Sequence, residues 1–258
     1  MISLNDLSSA LNEILIYDKS LNLAQIDQHM PNGLQVKGKD KIQKIGFGVS
    51  ASLELFKLAA KKGCQVLVVH HGINLPPSHC YDGLFQHRTS FLTENGISLF
   101  GYHFLLDSHP KIGHNVEIIK AIGGTPTKPF VFQGNPWGFE GKIDQTPLKK
   151  LVKIIQNRLS PKTTVYDFGP KLIKRIVAVS GSGAPYSGDM QYLVDNEIEL
   201  YITGENSEWV RELFRESKVN FIAGGHYYTE RFGLLALQKL IEEKLGVETA
   251  FIELENEV

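Results

Sequence analysis

Leu4, Leu7, Leu11, Ile14 and Leu15 fall on one helical face, with Ser3 or Asn5 as the N-cap, and predict a helix over 4–17. A turn at Pro31-Asn32-Gly33 leads into the short strand GLQV, and the alternation in IQKIGFGV (42–49) predicts another strand. Residues 52–62 read as a helix closed by Gly63, a natural left-handed cap. The run CQVLVV that follows is continuously apolar, as a strand buried on both faces would be. Strand, helix and strand with short connections predict a parallel α/β sheet.

The pattern repeats downstream. A helix is expected over 87–95 ahead of Gly96, a strand in ISLFGYHFLLD (97–107) and a helix over 115–122. The stretch GGTPTKP (123–129) reads as a loop and as the main internal boundary. Beyond it, VFQGNPWGFEGKI suggests antiparallel strands, and TPLKKLVKIIQNRL is an amphipathic helix opened at Thr146-Pro147. KRIVAVSGSGAP, ELYITGE and VNFIAGGHY read as strands, GDMQYLVDNEI and SEWVRELFRESK as helices. GLLALQKLIEEKLG is a strong C-terminal helix, and VETAFIELEN adds an edge strand. The fold class is therefore α/β, with two domains of mostly parallel or mixed sheets flanked by helices. The boundaries predicted are 1–125 plus 223–258 for the first domain and 126–222 for the smaller second one.

Composition narrows the function classes. With 258 residues, 42% hydrophobic and 21% charged, the chain suits a globular protein with a sizeable core. A formal net charge of −1 offers no global field for polyanions, which disfavours nucleic acid as the main partner. Cys64 and Cys80 have no CxxC spacing and read as free thiols. No apolar run approaches the roughly 18 to 20 residues of a membrane span, and the first residues lack the pattern of a signal peptide. A cytoplasmic location is the expectation.

Histidine changes the picture. Of nine histidines, seven lie between residues 70 and 114. Functional groups of parallel α/β sheets gather at the carboxyl ends of strands, and three such ends carry metal-type donors. His70 and His71 close QVLVV, His103 and Asp107 follow SLFG, and His226 and Glu230 follow NFIAGG at the i, i+4 separation of one helical face. A turn beginning at the strand end, helped by Gly72, would let both tandem rings face one cavity. Adjacent rings then suit two neighbouring ions, one ring each, with Glu230 as a bridge. His226 and one tandem ring would hold one ion, Asp107 and the other ring its neighbour. Mixed imidazole and carboxylate donors favour zinc, iron, manganese or nickel over calcium or magnesium.

Each element also has a plainer reading. Asp107 fits an Asx turn or a helix cap, and His226 with Glu230 fits a helix-surface pair. His79, His87, His109 and His114 read mostly as loop residues, and His103 as an outer ligand or a partner behind the ligands. The loop SGSGAPYSG (180–188) misses the G-x-G-x-x-G spacing, which leaves a close backbone approach to the metal cavity or a substrate phosphate, or a tight turn.

VVHHGI, YHFLLDSHP followed by GHN, AVSGSGA, ITGENSE and AGGHYYTERFG occur in this order. Together they resemble the YbgI-like family, also called GTP cyclohydrolase I type 2 homologues, across nearly the whole chain from NGLQV onward. The resemblance implies a two-domain α/β subunit, a dinuclear metal site in the cleft between the domains and a toroidal homohexamer. It places metal ligands at His70, His71, Asp107, His226 and Glu230, holding two divalent transition-metal ions (zinc, iron or manganese). Relatives carry an acidic or aromatic residue in the segment before NGLQV, where this chain has QHMP, and some carry His where this chain has Glu208.

The function expected is a metal-dependent hydrolase of GTP cyclohydrolase type, acting on a purine nucleotide or related small molecule. A two-metal phosphoesterase and a non-enzymatic, ring-forming metal-binding adaptor are the alternatives. Since tightly bound carboxylates do not double as general bases, His103 or Glu205 is the expected acid/base.

Overall fold

A computed structural model describes residues 1–28, 30–74, 80–254, 256 and 258. His29 and His79 lie outside the described residues. The chain divides into two compact units, Met1–Leu106 with Leu234–Glu255, and Asp107–Gly233 with Asn256–Val258. The first division falls inside the helical turn Phe104–Asp107.

The first unit is built on a five-stranded sheet in the order Glu248–Phe251, Lys44–Ser50, Val66–His71, Ser98–Gly101, Gly33–Val36. The first three pairings are parallel and the last is antiparallel. VETAFIELEN thus does supply an edge strand. Leu67, Val69 and Leu99 bury one face of this sheet in a cluster with Leu55, Phe56 and Ala59 of the helix Leu53–Lys61. Val66 and Val68, alternating with them, are fully buried too, which explains the unbroken apolar run. Gly63 adopts φ +71° beyond that helix, and Gly96 takes φ 64° as the left-handed cap of Gly83–Asn95. The N-terminal helix Leu4–Leu15 opens on a capping box: Asp6 N donates to Ser3 Oγ (3.1 Å), and Ser3 N donates to the Asp6 carboxylate (3.0 Å).

The second unit holds a six-stranded mixed sheet in the order Thr125–Phe132, Asn135–Pro147, Leu172–Val179, Leu200–Thr203, Asn220–Ala223, Thr164–Tyr166. Its three central strands are parallel and the remaining pairings antiparallel. Alternate residues feed two cores. Ile176, Ala178, Leu200, Ile202 and Ile222 face a cluster that includes Ile118, Ile119, Leu151 and Ile155. Val177, Val179, Tyr201 and Phe221 face one with Met190, Leu193, Val210 and Phe214. The helices His114–Ala121 and Leu148–Arg158 thus serve one face, and Ser187–Asp195 and Val210–Ser217 the other.

One expectation changes. GGTPTKP is not a loop throughout, because Thr125–Phe132 is a strand paired antiparallel with Asn135–Pro147. Val116, Ile118, Ile119 and Ile122 pack into the second unit's core, so the contact division lies before their helix rather than near residue 125. The segment 224–233 likewise groups with the second unit. Among the described residues, no helix is long and apolar enough to cross a membrane.

Candidate metal centre

In the first unit, register brings the histidines together. Val69 pairs with Gly101 and Ser50 with His71 on adjacent parallel strands, so these strands end in one layer. The ladder continues through His71 instead of turning beforehand, and the chain leaves it at Gly72, where a Cβ would overlap the Gln35 side-chain amide. Even so, the rings of His70 and His71 lie 4.6 Å apart between centroids, and His103 lies 4.8 Å from His70 and 5.4 Å from His71. One ligand atom from each of the three lies within 4.8 Å of the other two.

The second nitrogen of each ring is anchored. His70 Nδ1 donates to the Tyr102 carbonyl (2.9 Å), and His71 Nδ1 meets Ser50 Oγ (3.0 Å). His103 Nδ1 meets both oxygens of Asp27 (3.1 and 3.2 Å). A carbonyl and a carboxylate only accept, so neutral His70 and His103 carry their protons on Nδ1 and their lone pairs on Nε2.

The second unit repeats the device with different residues. Val179, Thr203 and Ala223 are in register across the three parallel strands, and the loops beyond them interlock. Gly204 N and Glu205 N donate to the Gly181 carbonyl (3.1 and 3.0 Å), and Gly225 N donates to the Gly204 carbonyl (2.8 Å). His226 opens the helical turn His226–Thr229, and Glu230 caps it. The i, i+4 spacing brings His226 Nε2 to 3.0 Å from Glu230 Oε2. On the other side of the ring, Nδ1 is hydrogen bonded to Glu205, with Ser182 Oγ at 3.4 Å.

Two lone-pair atoms held 3.0 Å apart require a cation between them, either a proton or a metal ion. Burial alone would lower the His226 pKa, but Glu230 and then Glu205 outweigh it and hold the ring at about 9. Gly181 closes the cradle. It sits at φ +59°, and a Cβ there would overlap Glu230 Oε1 and stand 3.1 Å from His226 Nε2. SGSGAPYSG is therefore a close backbone approach to these donors.

Asp107 is 6% exposed, and Ser180 Oγ donates to its Oδ1 (2.9 Å). Asn115 fixes the neighbouring backbone: it donates to the Asp107 carbonyl (3.1 Å) and accepts from Ser180 N (2.7 Å). His114, read from sequence as a loop residue, begins a helix and is fully buried. One of its ring nitrogens lies within 4.8 Å of an Asp107 carboxylate oxygen. Its Nδ1 accepts from Gly233 N (3.0 Å), so a neutral ring has its proton on Nε2. His87 lies in the helix Gly83–Asn95, and buried His109 accepts from Lys111 N and Ile112 N. Glu205 also lines a cavity of about 450 Å³ with Lys162, Thr163, Thr164 and Asn206, within the usual size of a small-molecule site.

The donor sets fit a divalent transition ion: neutral imidazoles with oriented Nε2 atoms, and buried carboxylates supported by hydroxyl and amide donors. Sequence reasoning missed Asp27. It lies 76 residues from His103, in a segment without periodicity, just upstream of the QHMP noted above.

Comparison with known proteins decides the family. The model of the Duf34/NIF3 family (NGG1p interacting factor 3) matches residues 5–257. The chain belongs to this family. An Escherichia coli K12 member named GTP cyclohydrolase 1 type 2 homolog is 35% identical over 253 residues, covering 95% of this chain and 97% of that one. An Archaeoglobus fulgidus member of the same name is 34% identical over 224 residues, covering 86% and 89%. Among solved structures, the protein ybgI superposes with a TM-score of 0.85 at 31% identity over the whole of both chains. Reduced HcgD from Methanocaldococcus jannaschii shares the fold, with a TM-score of 0.82 at 22% identity over 98% of each chain. The YbgI-like resemblance and the two-sheet α/β fold expected from the sequence are thereby established.

Proposed function

We propose that the chain is a metal-dependent hydrolase of the GTP cyclohydrolase type, acting on a purine nucleotide or a related compound. The observation that carries this reading is the orientation of donors at strand ends in each unit. His70 presents Nε2 because Tyr102 takes its Nδ1 proton, and His226 Nε2 faces Glu230 because Glu205 takes the proton on the other side. On this reading His70, His71, Asp107, His226 and Glu230 hold two ions: zinc, iron or manganese. Five protein ligands for two ions leave positions open for water and substrate, as in catalytic rather than structural sites. Such ions supply Lewis acidity and make water nucleophilic at neutral pH.

The chain's own residues supply the rest. Glu205, side chain 36% exposed, borders the 450 Å³ cavity and holds the His226 ring. On this reading it is the group that exchanges a proton with a small molecule bound there. Lys162, Thr163, Thr164 and Asn206 line the same walls and would supply hydrogen bonds to it. The name shared by the curated relatives, GTP cyclohydrolase 1 type 2 homolog, supports GTP as the first substrate to try, and the YbgI-like resemblance supports assembly as a ring of six.

The test is to strip the protein of metal, reload it with zinc, iron or manganese separately, and follow GTP by absorbance and formate release beside a panel of phosphoesters. Turnover by one reloaded form, abolished in His71→Ala with an unchanged circular dichroism spectrum, is the expected result. Metal loading without turnover of any compound would overturn the enzymatic reading.

A further inference from the structure

We infer that His103 is a further metal ligand of the His70–His71 cluster, and that Asp27 is the positioning residue that makes it one. The inference rests on the reading that these histidines bind a divalent ion, and it adds a nitrogen and an orienting carboxylate to that site.

Asp27 is bound from several directions. Its carboxylate side chain is 8% exposed and accepts from His103 Nδ1 (3.1 Å to Oδ1, 3.2 Å to Oδ2). It also accepts from Phe104 N (3.1 Å) and Asn32 Nδ2 (3.2 Å). Asn32 completes the clamp by accepting from His103 N through Oδ1 (3.0 Å). Backbone and ring of His103 are thus fixed together by two side chains from the segment ahead of Gly33. An ionised carboxylate has no proton to give, so the proton sits on Nδ1 and the lone pair on Nε2.

That is the orientation His70 receives from the Tyr102 carbonyl, and the three rings bring ligand atoms within 4.8 Å of one another. A plain His–Asp ion pair is the competing explanation. It would leave unexplained why the ring stands at centroid distances of only 4.8 and 5.4 Å from two further imidazoles. A carboxylate behind an imidazole is the recurrent means of orienting a metal-binding histidine, and three imidazoles form a familiar zinc donor set with one position open.

The experiment titrates Zn²⁺ and Co²⁺ calorimetrically into the metal-stripped full chain and records the Co²⁺ visible spectrum. Wild type, Asp27→Asn and His103→Ala are compared. The Asp27→Asn change keeps the side chain's size and its capacity to accept from Phe104 N, but the new amide donates to Nδ1 and moves the ring proton to Nε2. We expect both variants to bind one ion about 10- to 100-fold more weakly, with a changed ligand-field spectrum at unchanged far-ultraviolet dichroism. If Asp27→Asn does not fold, long-range ¹⁵N–¹H spectra of the unmodified protein decide: His103 should be protonated on Nδ1, and zinc should shift its Nε2 resonance. Wild-type affinity and spectrum in both variants, or a His103 Nε2 resonance unmoved by zinc, would overturn the inference while leaving the other histidines as ligands. A wild type that takes up no ion would overturn this inference and the reading beneath it together.

Discussion

Replacing Gly181 by alanine tests whether the glycine loop shapes the donor set or merely turns the chain. At φ +59° an alanine costs about 1 kcal/mol in backbone strain. Its methyl would overlap Glu230 Oε1 and approach His226 Nε2 to 3.1 Å. Residue 181 cannot retreat, because its carbonyl accepts from Gly204 N, Glu205 N and Thr203 Oγ1 at 3.0 to 3.3 Å while its N–H donates to Thr229 Oγ1 at 3.1 Å. The Glu230 carboxylate must move instead, by about 1 Å, to regain ordinary van der Waals separation. Ligand distances tolerate only about 0.2 Å. We therefore expect Gly181→Ala to lose about 2 to 3 kcal/mol of stability by strain and overpacking and to bind zinc at least about tenfold more weakly. Urea denaturation of the metal-stripped protein and zinc calorimetry measure the two effects. Gly183→Ala is the control, since the nearest contacts of its methyl are all with Val179, whose carbonyl lies 2.5 Å away. Wild-type zinc affinity in Gly181→Ala, or equal weakening in Gly183→Ala, would refute the reasoning.

Asn115→Ala should cost about 3 kcal/mol in urea denaturation, because Ser180 N and the carbonyls of Asp107 and Trp137 lose a fully buried partner. The pKa of His226, about 9, lies above its ordinary 6.5 despite burial, because of Glu230 and then Glu205. Its contribution to the stability of metal-free protein is therefore full below about pH 6.5 and lost as pH rises through about 9. Urea midpoints at pH 6 and 9.5 should show this loss, and Glu230→Gln should reduce it. Zinc binding at pH 7.5 should then release a proton from His226, read as a buffer-dependent binding enthalpy. Finally, free zinc at 100 times its Kd should stabilise the chain by about 2.7 kcal/mol, and a chelator should lower Tm correspondingly.

How much of this was legible in the sequence follows from the range of the interactions. QVLVVHHG announces a buried strand with donors at its end because both signals are local, and His226 with Glu230 is legible from a spacing of four. The role of Gly181 was only half legible. Its spacing excluded a dinucleotide loop, but its contact with Glu230 depends on the fold. Asp27 was invisible, since nothing near it indicates a partner 76 residues away. Which sheet the helix His114–Ala121 covers was not legible either, since its apolar face has the same period whichever one it packs against. His114 was undervalued as a loop residue because nothing near it announces Gly233, 119 residues away, whose N–H donates to its ring.

The edge strand Glu248–Phe251 has a consequence for synthesis. It lies parallel to Lys44–Ser50, and Ile252 N donates to the Phe47 carbonyl at 2.7 Å. A nascent chain emerging from the ribosome must therefore keep the Lys44–Ser50 backbone unsatisfied on one side until the far C-terminal segment has been translated. During that interval the exposed flank is a template for another growing copy, so early termination codons after residue 233 should yield aggregates rather than soluble fragments.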